Sequence, residues 1–288
     1  MLKLEFSLKY LNNFGLSKNP NAIKLLEENP QLIDWDALSY NPNAIHLLEK
    51  NKDKINWYNL SSNINAINIL ENNQDKINWS KLSLNPNAMS ILEKNQDKIN
   101  WCFLSSNSSA ISLLEKNLTK INWCMLSINI NAIKLIKNNY ENIDWTYLSY
   151  NINAIDILKQ NPNKINWSFL STNPNAIELL EKNQGKINWH CLSENSEAIP
   201  LLEKNLENIN WNIFSRNPNS IPLLKNNLEK ISWKLLSQNP SIFSYDYKQM
   251  KENCAIYQEN LIQKCLHPLR LIEYLEKYNY NIVNEEYD

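Results

Sequence analysis

The chain has 288 residues, with 29 basic and 30 acidic side chains and a formal net charge of −1. This balance argues against a partner recognised by bulk charge, such as nucleic acid or an anionic membrane. The start of the chain lacks the apolar core and small-residue cleavage site of a signal peptide. No apolar run reaches the roughly 18 residues that a membrane-spanning helix needs. The sequence therefore predicts an intracellular protein that is not secreted and has no membrane partner.

Few residues carry the chemistry that catalysis or metal binding needs. There are two glycines, Gly15 and Gly185, too few and too far apart for a loop that cradles phosphates. The three histidines, His46, His190 and His267, show no spacing typical of a nucleophile and its base. Five cysteines form no Cys-x-x-Cys pair, which disfavours a disulfide framework or a zinc site. We predict no enzymatic activity, no cofactor, no metal site and no small-molecule substrate.

An internal repeat organises most of the chain. The ten tryptophans lie 22 residues apart, at Trp35, Trp57, Trp79, Trp101, Trp123, Trp145, Trp167, Trp189, Trp211 and Trp233. We number each unit from the Asn that precedes Pro or its substitute, so that ten units run from 19 to 238. Their consensus is N-P-N-A-I-x-L-L-E-K-N-x-D-K-I-N-W-x-x-L-S-x. Such a period is the signature of a repeat protein in which neighbouring units bury one another.

Residues 1–18 resemble the second half of a unit. Leu11, Asn12, Leu16 and Ser17 match the Ile, Asn, Leu and Ser positions, but Asn13 stands where the Trp would be. An eroded copy suits an end that faces solvent. We therefore predict an N-terminal half-repeat cap.

The first part of each unit predicts an amphipathic helix. Asn at position 1 is an N-cap, and Pro often follows at the first helical position. Apolar residues at positions 4, 5, 7 and 8 share one helical stripe, as Ala22, Ile23, Leu25 and Leu26 do in the first unit. After about nine residues an Asn at position 11 is expected to end the helix in a left-handed conformation.

The second part of each unit predicts a shorter element of α or 3₁₀ helix. Ile at position 15 is followed by Asn, Asp or Ser as an N-cap and then by Trp, with Leu (Phe214 once) and Ser at positions 20 and 21. We predict that the Trp ladder lies in the core, although stacked aromatics can also hold bases or sugars. We interpret the invariant Asn columns as caps rather than base readers. Lysines at position 14 are expected to form a solvated face neutralised by neighbouring Asp residues.

After Trp233 the repeat survives only through Asn239 and Pro240. Residues 244–279 predict two or three ordinary helices, with one apolar face formed by Ala255, Ile256, Ile262, Cys265 and Leu266. A last helix is expected to start at Pro268 and to carry Leu271, Ile272 and Leu275. The predicted parts are thus the N-terminal cap (1–18), the ten repeats (19–238) and a C-terminal helical cap and tail (239–288).

These elements predict an all-α fold, a two-layer helical solenoid of right-handed type with a long and a short helix in each unit. At about 8–10 Å between packed helices, ten units would stretch to roughly 80–100 Å. The short helices should line its concave side.

The repeat N-P-N-A-I-x-L-L-E-K-N-x-D-K-I-N-W-x-x-L-S resembles the Asn-rich tandem repeat of giant DNA viruses of protists, including mimivirus-like and chlorella-virus-like groups. The likeness spans about residues 19 to 275 and extends to the end segment, with Tyr245-Asp246-Tyr247, Leu261-Ile262 and His267-Pro268-Leu269-Arg270. It implies a viral protein acting in the host cytoplasm or the virion. The resemblance brings no catalytic residues with it.

Positions 18, 19 and 22 are not fixed by the repeat and point away from Trp and Leu on the short helix. In the middle units they carry large apolar residues, which make a candidate partner surface: Phe103, Met125, Ile128, Tyr147, Tyr150 and Phe169. The alternative is that position 19 is tucked partly under the next unit.

The favoured function is a non-enzymatic scaffold or adaptor that binds another protein. The alternatives are an architectural virion component and a helical-repeat protein that binds nucleic acid. Copurification with virions would favour the former alternative, and strongly salt-dependent nucleic-acid affinity the latter.

Overall fold

The structure is a computed structural model that describes residues 2–245, 264 and 267–277. Its contacts divide the chain into two compact units. One is a repeat domain, Phe6–Ile242, and the other combines Met1–Glu5 with Phe243–Asp288. This grouping differs from the predicted boundaries, because residues 6–18 belong with the repeats.

Each repeat folds into two α-helices joined by 3₁₀ turns. We call the helix that starts at position 5 the Ile helix. The Ile helices are Ile23–Glu28, Ile45–Lys50, Ile67–Glu71, Met89–Lys94, Ile111–Glu115, Ile133–Asn138, Ile155–Gln160, Ile177–Glu181, Ile199–Glu203 and Ile221–Lys225. A 3₁₀ helix follows at positions 12–14, from Pro30–Leu32 in the first unit to Leu228–Lys230 in the last.

The helix that starts at position 17 is the Trp helix. The Trp helices are Trp35–Tyr40, Trp57–Leu60, Trp79–Ser83, Trp101–Ser106, Trp123–Ile128, Trp145–Leu148, Trp167–Thr172, Trp189–Leu192, Trp211–Phe214 and Trp233–Leu236. The all-α repeat solenoid is confirmed. In the first unit, the 3₁₀ turn Pro20–Ala22 runs directly into the α-helix Ile23–Glu28, and together they form a longer helical element than the Trp helix of that unit.

The core of the repeat domain is built from small and branched residues at fixed positions. In the unit of Trp123, Ala110, Leu114 and Ile121 are buried, and Leu126 is fully inaccessible to solvent. These four residues stand at positions 4, 8, 15 and 20 of the unit. Positions 4 and 8 belong to the apolar stripe that the sequence predicts for the Ile helix.

A ladder of buried Asn side chains joins each unit to the one before it. The amide of Asn129 donates to the carbonyl oxygens of Ser105, at 3.0 Å, and Asn107, at 2.8 Å. Its side-chain oxygen accepts the backbone N–H of Asn131 at 3.1 Å. The amide therefore holds two units together as well as capping a turn. The position-1 residues are Asn19, Asn41, Asn63, Asn85, Asn107, Asn129, Asn151, Asn173, Asn195, Asn217 and Asn239, and all are buried.

A second link between units runs through the buried Ser at position 21. The hydroxyl of Ser127 donates to the carbonyl oxygen of Trp123 at 2.8 Å and accepts the backbone N–H of Asp144 in the next unit at 3.1 Å. Asp144 in turn caps its own Trp helix by accepting the N–H of Tyr147. The N-cap predicted at position 16 is thus confirmed.

The Asn at position 11 ends the Ile helix by a different device from the one predicted. The backbone of Asn117 has φ −134° and ψ 46°, which is not left-handed. Its side-chain amide donates to the carbonyl oxygen of Leu113, four residues earlier, at 2.9 Å. The side chain thus satisfies one of the carbonyls that a helix end leaves without a partner.

The two ends of the repeat array meet. The N–H of Asn12 donates to the hydroxyl of Ser237 at 2.7 Å, and the amide of Asn19 donates to the carbonyl of Asn239 at 2.9 Å. The amide of Asn21 donates to the carbonyl of Pro240 at 3.0 Å. Consecutive units make the first two of these contacts throughout the array, and the third wherever position 3 is Asn, so the helix Asn13–Lys18 takes the place of an eleventh Trp helix. The predicted solvent-facing end and stretched array are therefore wrong, and the repeat domain is a closed ring.

The Trp helices lie on the inner circumference of this ring. Consecutive Trp helices pack directly against each other, as Trp101–Ser106 does against Trp123–Ile128, whereas consecutive Ile helices make less contact. In a closed ring, the layer with the closer spacing between units has the smaller radius. This agrees with the predicted concave side.

The second unit contains the antiparallel strands Leu2–Leu4 and Phe243–Tyr245, in which Leu4 pairs with Phe243. Ser244 and Tyr245, the first residues of the segment predicted to contain two or three helices, lie in the second of these strands. The helix Pro268–Lys277 begins at Pro268 as predicted. The predicted apolar face of Ala255, Ile256, Ile262, Cys265 and Leu266 lies outside the described residues.

Candidate partner surface

The inner face of the ring is formed by the side of each Trp helix opposite the buried Leu. Successive helical residues are rotated by about 100°, so positions 18 and 22 lie opposite position 20, and position 19 lies to one side of them. Leu148 at position 20 is fully buried, whereas Tyr150 at position 22 is 50% exposed. Positions 18 and 22 therefore face the ring interior.

Three aromatic residues from two adjacent units form a cluster at the side of this face, with Tyr147 and Phe169 at position 19 and Tyr150 at position 22. The ring centroids of Tyr147 and Phe169 are 5.9 Å apart, and those of Tyr150 and Phe169 are 6.5 Å apart in an edge-on arrangement. Tyr150 and Phe169 remain 50% and 37% exposed. The cluster thus offers aromatic surface to a partner while holding its own geometry by ring contacts.

The other three predicted surface residues, Phe103, Met125 and Ile128, lie in the two preceding units and are half-buried. We call the six residues together the apolar arc. Tyr147 is also half-buried, so three of the four arc residues at position 19 are half-buried. Phe169 is the exception.

Other units carry polar or charged groups at the same positions. Glu194 and Arg216, both at position 22 in adjacent units, form an ion pair. The ammonium of Lys18 lies 5.0 Å from the ring centre of Tyr40, and that of Lys81 lies 4.8 Å from the ring centre of Tyr58. The fold therefore accepts polar residues where the apolar arc has large apolar ones.

The tryptophans are not core residues, which corrects the predicted interpretation. Every Trp of the ladder is partly exposed. Most are covered by the ammonium group of the position-14 lysine of the next unit, at 4.3 to 4.7 Å from the indole. These pairs are Lys54–Trp35, Lys76–Trp57, Lys98–Trp79, Lys120–Trp101, Lys164–Trp145, Lys186–Trp167 and Lys230–Trp211.

The lysine stripe is thus not merely a solvated face. Each lysine supplies a cation–π contact between units, and the sequence signal is the constant spacing of 19 residues from Trp to Lys. Where the two ends of the repeat domain meet, Tyr10 stands in place of the lysine at position 14. Its ring stacks on Trp233 with centroids 4.8 Å apart.

Changing Lys120 to Ala should lower the free energy of unfolding by about 0.5–1 kcal/mol, the usual value of an exposed cation–π contact. Lys120 lies 4.4 Å above the ring of Trp101. The control is Lys116→Ala, at an exposed position of the same unit. Chemical denaturation of both variants measures the difference. Equal stability of the two would show that the lysine–tryptophan contact contributes nothing.

The titratable groups are used in local contacts. Burial raises the pKa of the Cys191 thiol, and a hydrogen bond to the Asp144 carboxylate raises the pKa of Cys124. Both shifts disfavour the thiolate that a nucleophile requires. Lys182, at 2.5 Å, and Lys159 bind the Glu178 carboxylate and lower its pKa.

Two of the histidines also have ordinary partners. His46 lies 2.7 Å from Glu27, and His190 lies 2.8 Å from the amide of Asn210, both at exposed sites. His267 is exposed. No group of three or more His, Cys, Asp or Glu side chains suited to a metal ion occurs among the described residues.

No protein-family model, curated protein or solved structure matches this chain. Across the residues that the structure describes, no helix is both long enough and apolar enough to span a membrane.

Proposed function

We propose that this protein is a non-enzymatic scaffold or adaptor that binds another protein through the apolar arc. The observation that supports this most directly is the cluster of Tyr147, Tyr150 and Phe169, in which Tyr150 and Phe169 are exposed. Aromatic residues of this kind dominate the binding energy of protein interfaces. The fold does not require them, because Glu194 occupies the position of Tyr150 in another unit and Lys81 that of Tyr147 and Phe169.

The absence of catalysis is part of the proposal. The invariant residues of the repeat have structural tasks: Asn129 bridges units, Ser127 links a helix to the next cap, and Asn117 ends a helix. A scaffold needs only this framework and a variable surface. The resemblance to repeats of giant DNA viruses supports a viral origin and a place of action in the host cytoplasm or the virion.

The double change Tyr147→Ser and Tyr150→Ser should weaken partner binding by about 2 kcal/mol or more, about 30-fold in Kd. The partner is first recovered by affinity purification from infected cells with mass spectrometry. Its affinity for the purified protein is then measured by calorimetry.

The matched control is the double change Tyr40→Ser and Tyr58→Ser. These tyrosines are 47% and 53% exposed and stand at positions 22 and 18 outside the apolar arc. Circular dichroism and the melting temperature check that both double variants fold. Unchanged affinity in a folded Tyr147/Tyr150 variant would remove the apolar arc as the binding surface. An equal loss in both variants would mean that the effect is not specific to the arc.

A further inference from the structure

We propose that a groove between the first and second repeats binds the tyrosine side chain of a partner protein. The groove is lined by residues 26–35 of the first unit and 47–54 of the second. It is separate in the chain from the apolar arc, which occupies the fourth to seventh units. The inference therefore adds a second binding site and does not rest on the arc.

The groove has the size and the lining of a binding site. Its volume is about 420 Å³, and ligand sites usually measure roughly 300–1,000 Å³. Ile33, Trp35 and Leu47 give it apolar walls, while Asn51 and Lys54 add polar groups. An apolar lining with a few polar groups is typical of sites that bind a ligand in one orientation.

The sixth unit shows what fits such a place, because there the chain supplies a tyrosine of its own. Tyr140 stands at position 12, and its ring meets the ring of Trp145 edge-on, with centroids 5.5 Å apart. Its hydroxyl donates to the side-chain oxygen of Asn161 at 2.8 Å. The ammonium group of Lys164 lies 5.6 Å from its ring centre. These three partners stand at positions 17, 11 and 14 of their units.

The groove has the same three partners without the tyrosine. Trp35, Asn51 and Lys54 occupy positions 17, 11 and 14 of the first two units. Pro30 stands at position 12, in place of Tyr140. The three side-chain carbons of proline cannot take the place of a phenol ring, and the groove beside Pro30 is open.

The amide of Asn51 is also oriented to accept a phenol hydroxyl. It donates to the carbonyl oxygen of Leu47 at 2.9 Å. The amide of Asn161 donates to the carbonyl oxygen of Ile157 in the same way, also at 2.9 Å. With its NH₂ group used in this bond, Asn161 accepts from Tyr140 through its oxygen. Asn51 offers its oxygen to a partner tyrosine by the same arrangement.

Two small probes, N-acetyl-tyrosine amide and N-acetyl-phenylalanine amide, test the site on the full chain. NMR follows the indole N–H signals of the ten tryptophans, and the Trp35→Phe variant assigns the signal of Trp35. The tyrosine probe should shift this signal in a saturable way. Its Kd should be about fivefold lower than that of the phenylalanine probe, because only tyrosine can donate a hydrogen bond to Asn51.

The change Pro30→Tyr should abolish the response of Trp35, because a side chain of the protein then fills the groove as Tyr140 does in the sixth unit. The matched control is Pro162→Tyr, the same change at position 12 of the seventh unit. It should leave the response of Trp35 to both probes unaltered, and circular dichroism checks that both variants fold. A missing or unsaturable shift, equal affinity for the two probes, or an unchanged response in the folded Pro30 variant would overturn the proposal.

The tyrosine site and the apolar arc can fail separately. The variant with Tyr147→Ser and Tyr150→Ser should bind the tyrosine probe as tightly as the unaltered protein does. If that variant loses the natural partner while the unaltered protein does not bind the probe, the apolar arc remains the binding surface and the tyrosine site is excluded. If the probe binds at Trp35 and the variant keeps the natural partner, the tyrosine site remains and the arc is excluded.

Discussion

Changing Asn129 to Ala should lower the free energy of unfolding by about 2–4 kcal/mol, because three hydrogen bonds of about 1 kcal/mol each are lost and buried carbonyls lose a donor. The carbonyls of Ser105 and Asn107 accept from this one amide, and Asn129 is 1% exposed. Alanine can replace none of these bonds. Chemical denaturation with a linear extrapolation measures the change.

Asn131→Ala is the matched control for the ladder. Asn131 lies two residues away, is exposed, and donates one bond across units, to the carbonyl of Ser108 at 2.9 Å. Other units carry Ser109 or Glu197 at this position. We expect a cost below about 1 kcal/mol there, as for a single solvent-accessible bond. If both variants lost a similar amount of unfolding free energy, the buried Asn ladder would not be the main link between units.

The sequence shows which residues are repeated but not which of them are buried. A column of Trp resembles a core, while a column of Asn resembles a surface of turns. The structure reverses this ranking: Asn129 is buried and Trp123 is partly exposed. The reason is that Asn, unlike Trp, can satisfy three backbone groups at once where two units meet. We therefore expect Trp123→Ala to cost less than the roughly 3–5 kcal/mol of a buried Trp.

Helix type and position were predictable because caps and apolar stripes act within one unit. Ring closure was not, because it depends on the small rotation from each unit to the next, which no residue type encodes alone. One local signal was present. Leu11, Asn12, Leu16 and Ser17 keep the residue types of positions 15, 16, 20 and 21. Position 16 contacts the preceding unit, and the N–H of Asn12 accordingly meets the hydroxyl of Ser237 in the last unit.

The candidate surface could likewise be predicted only in part. The exposure of Tyr150 could be derived from helical spacing, since position 22 lies opposite the buried position 20. The ring contacts of Phe169 with Tyr147 and Tyr150 could not, because they join two units and depend on how those units stack.

Gly15→Ala should destabilise the protein by about 1–3 kcal/mol, because the added methyl group overpacks the contact between the two ends of the repeat domain. A Cβ atom at Gly15 would lie 2.5 Å from the Cβ of Ser237 and 3.2 Å from its carbonyl carbon. Glycine therefore permits the close approach of the helix Asn13–Lys18 to the last Trp helix. The measurements are chemical denaturation and small-angle X-ray scattering.

Gly185→Ala is the control, since a Cβ atom there meets nothing within 4 Å. It should be neutral or stabilising by up to about 1 kcal/mol, because alanine restricts the unfolded chain. If the Gly15 variant relieves its clash by separating the two ends of the repeat domain, its radius of gyration should rise, while that of the Gly185 variant stays unchanged. Stability and scattering that match the unaltered protein in both variants would show that the ends do not pack together, and the ring would then be open.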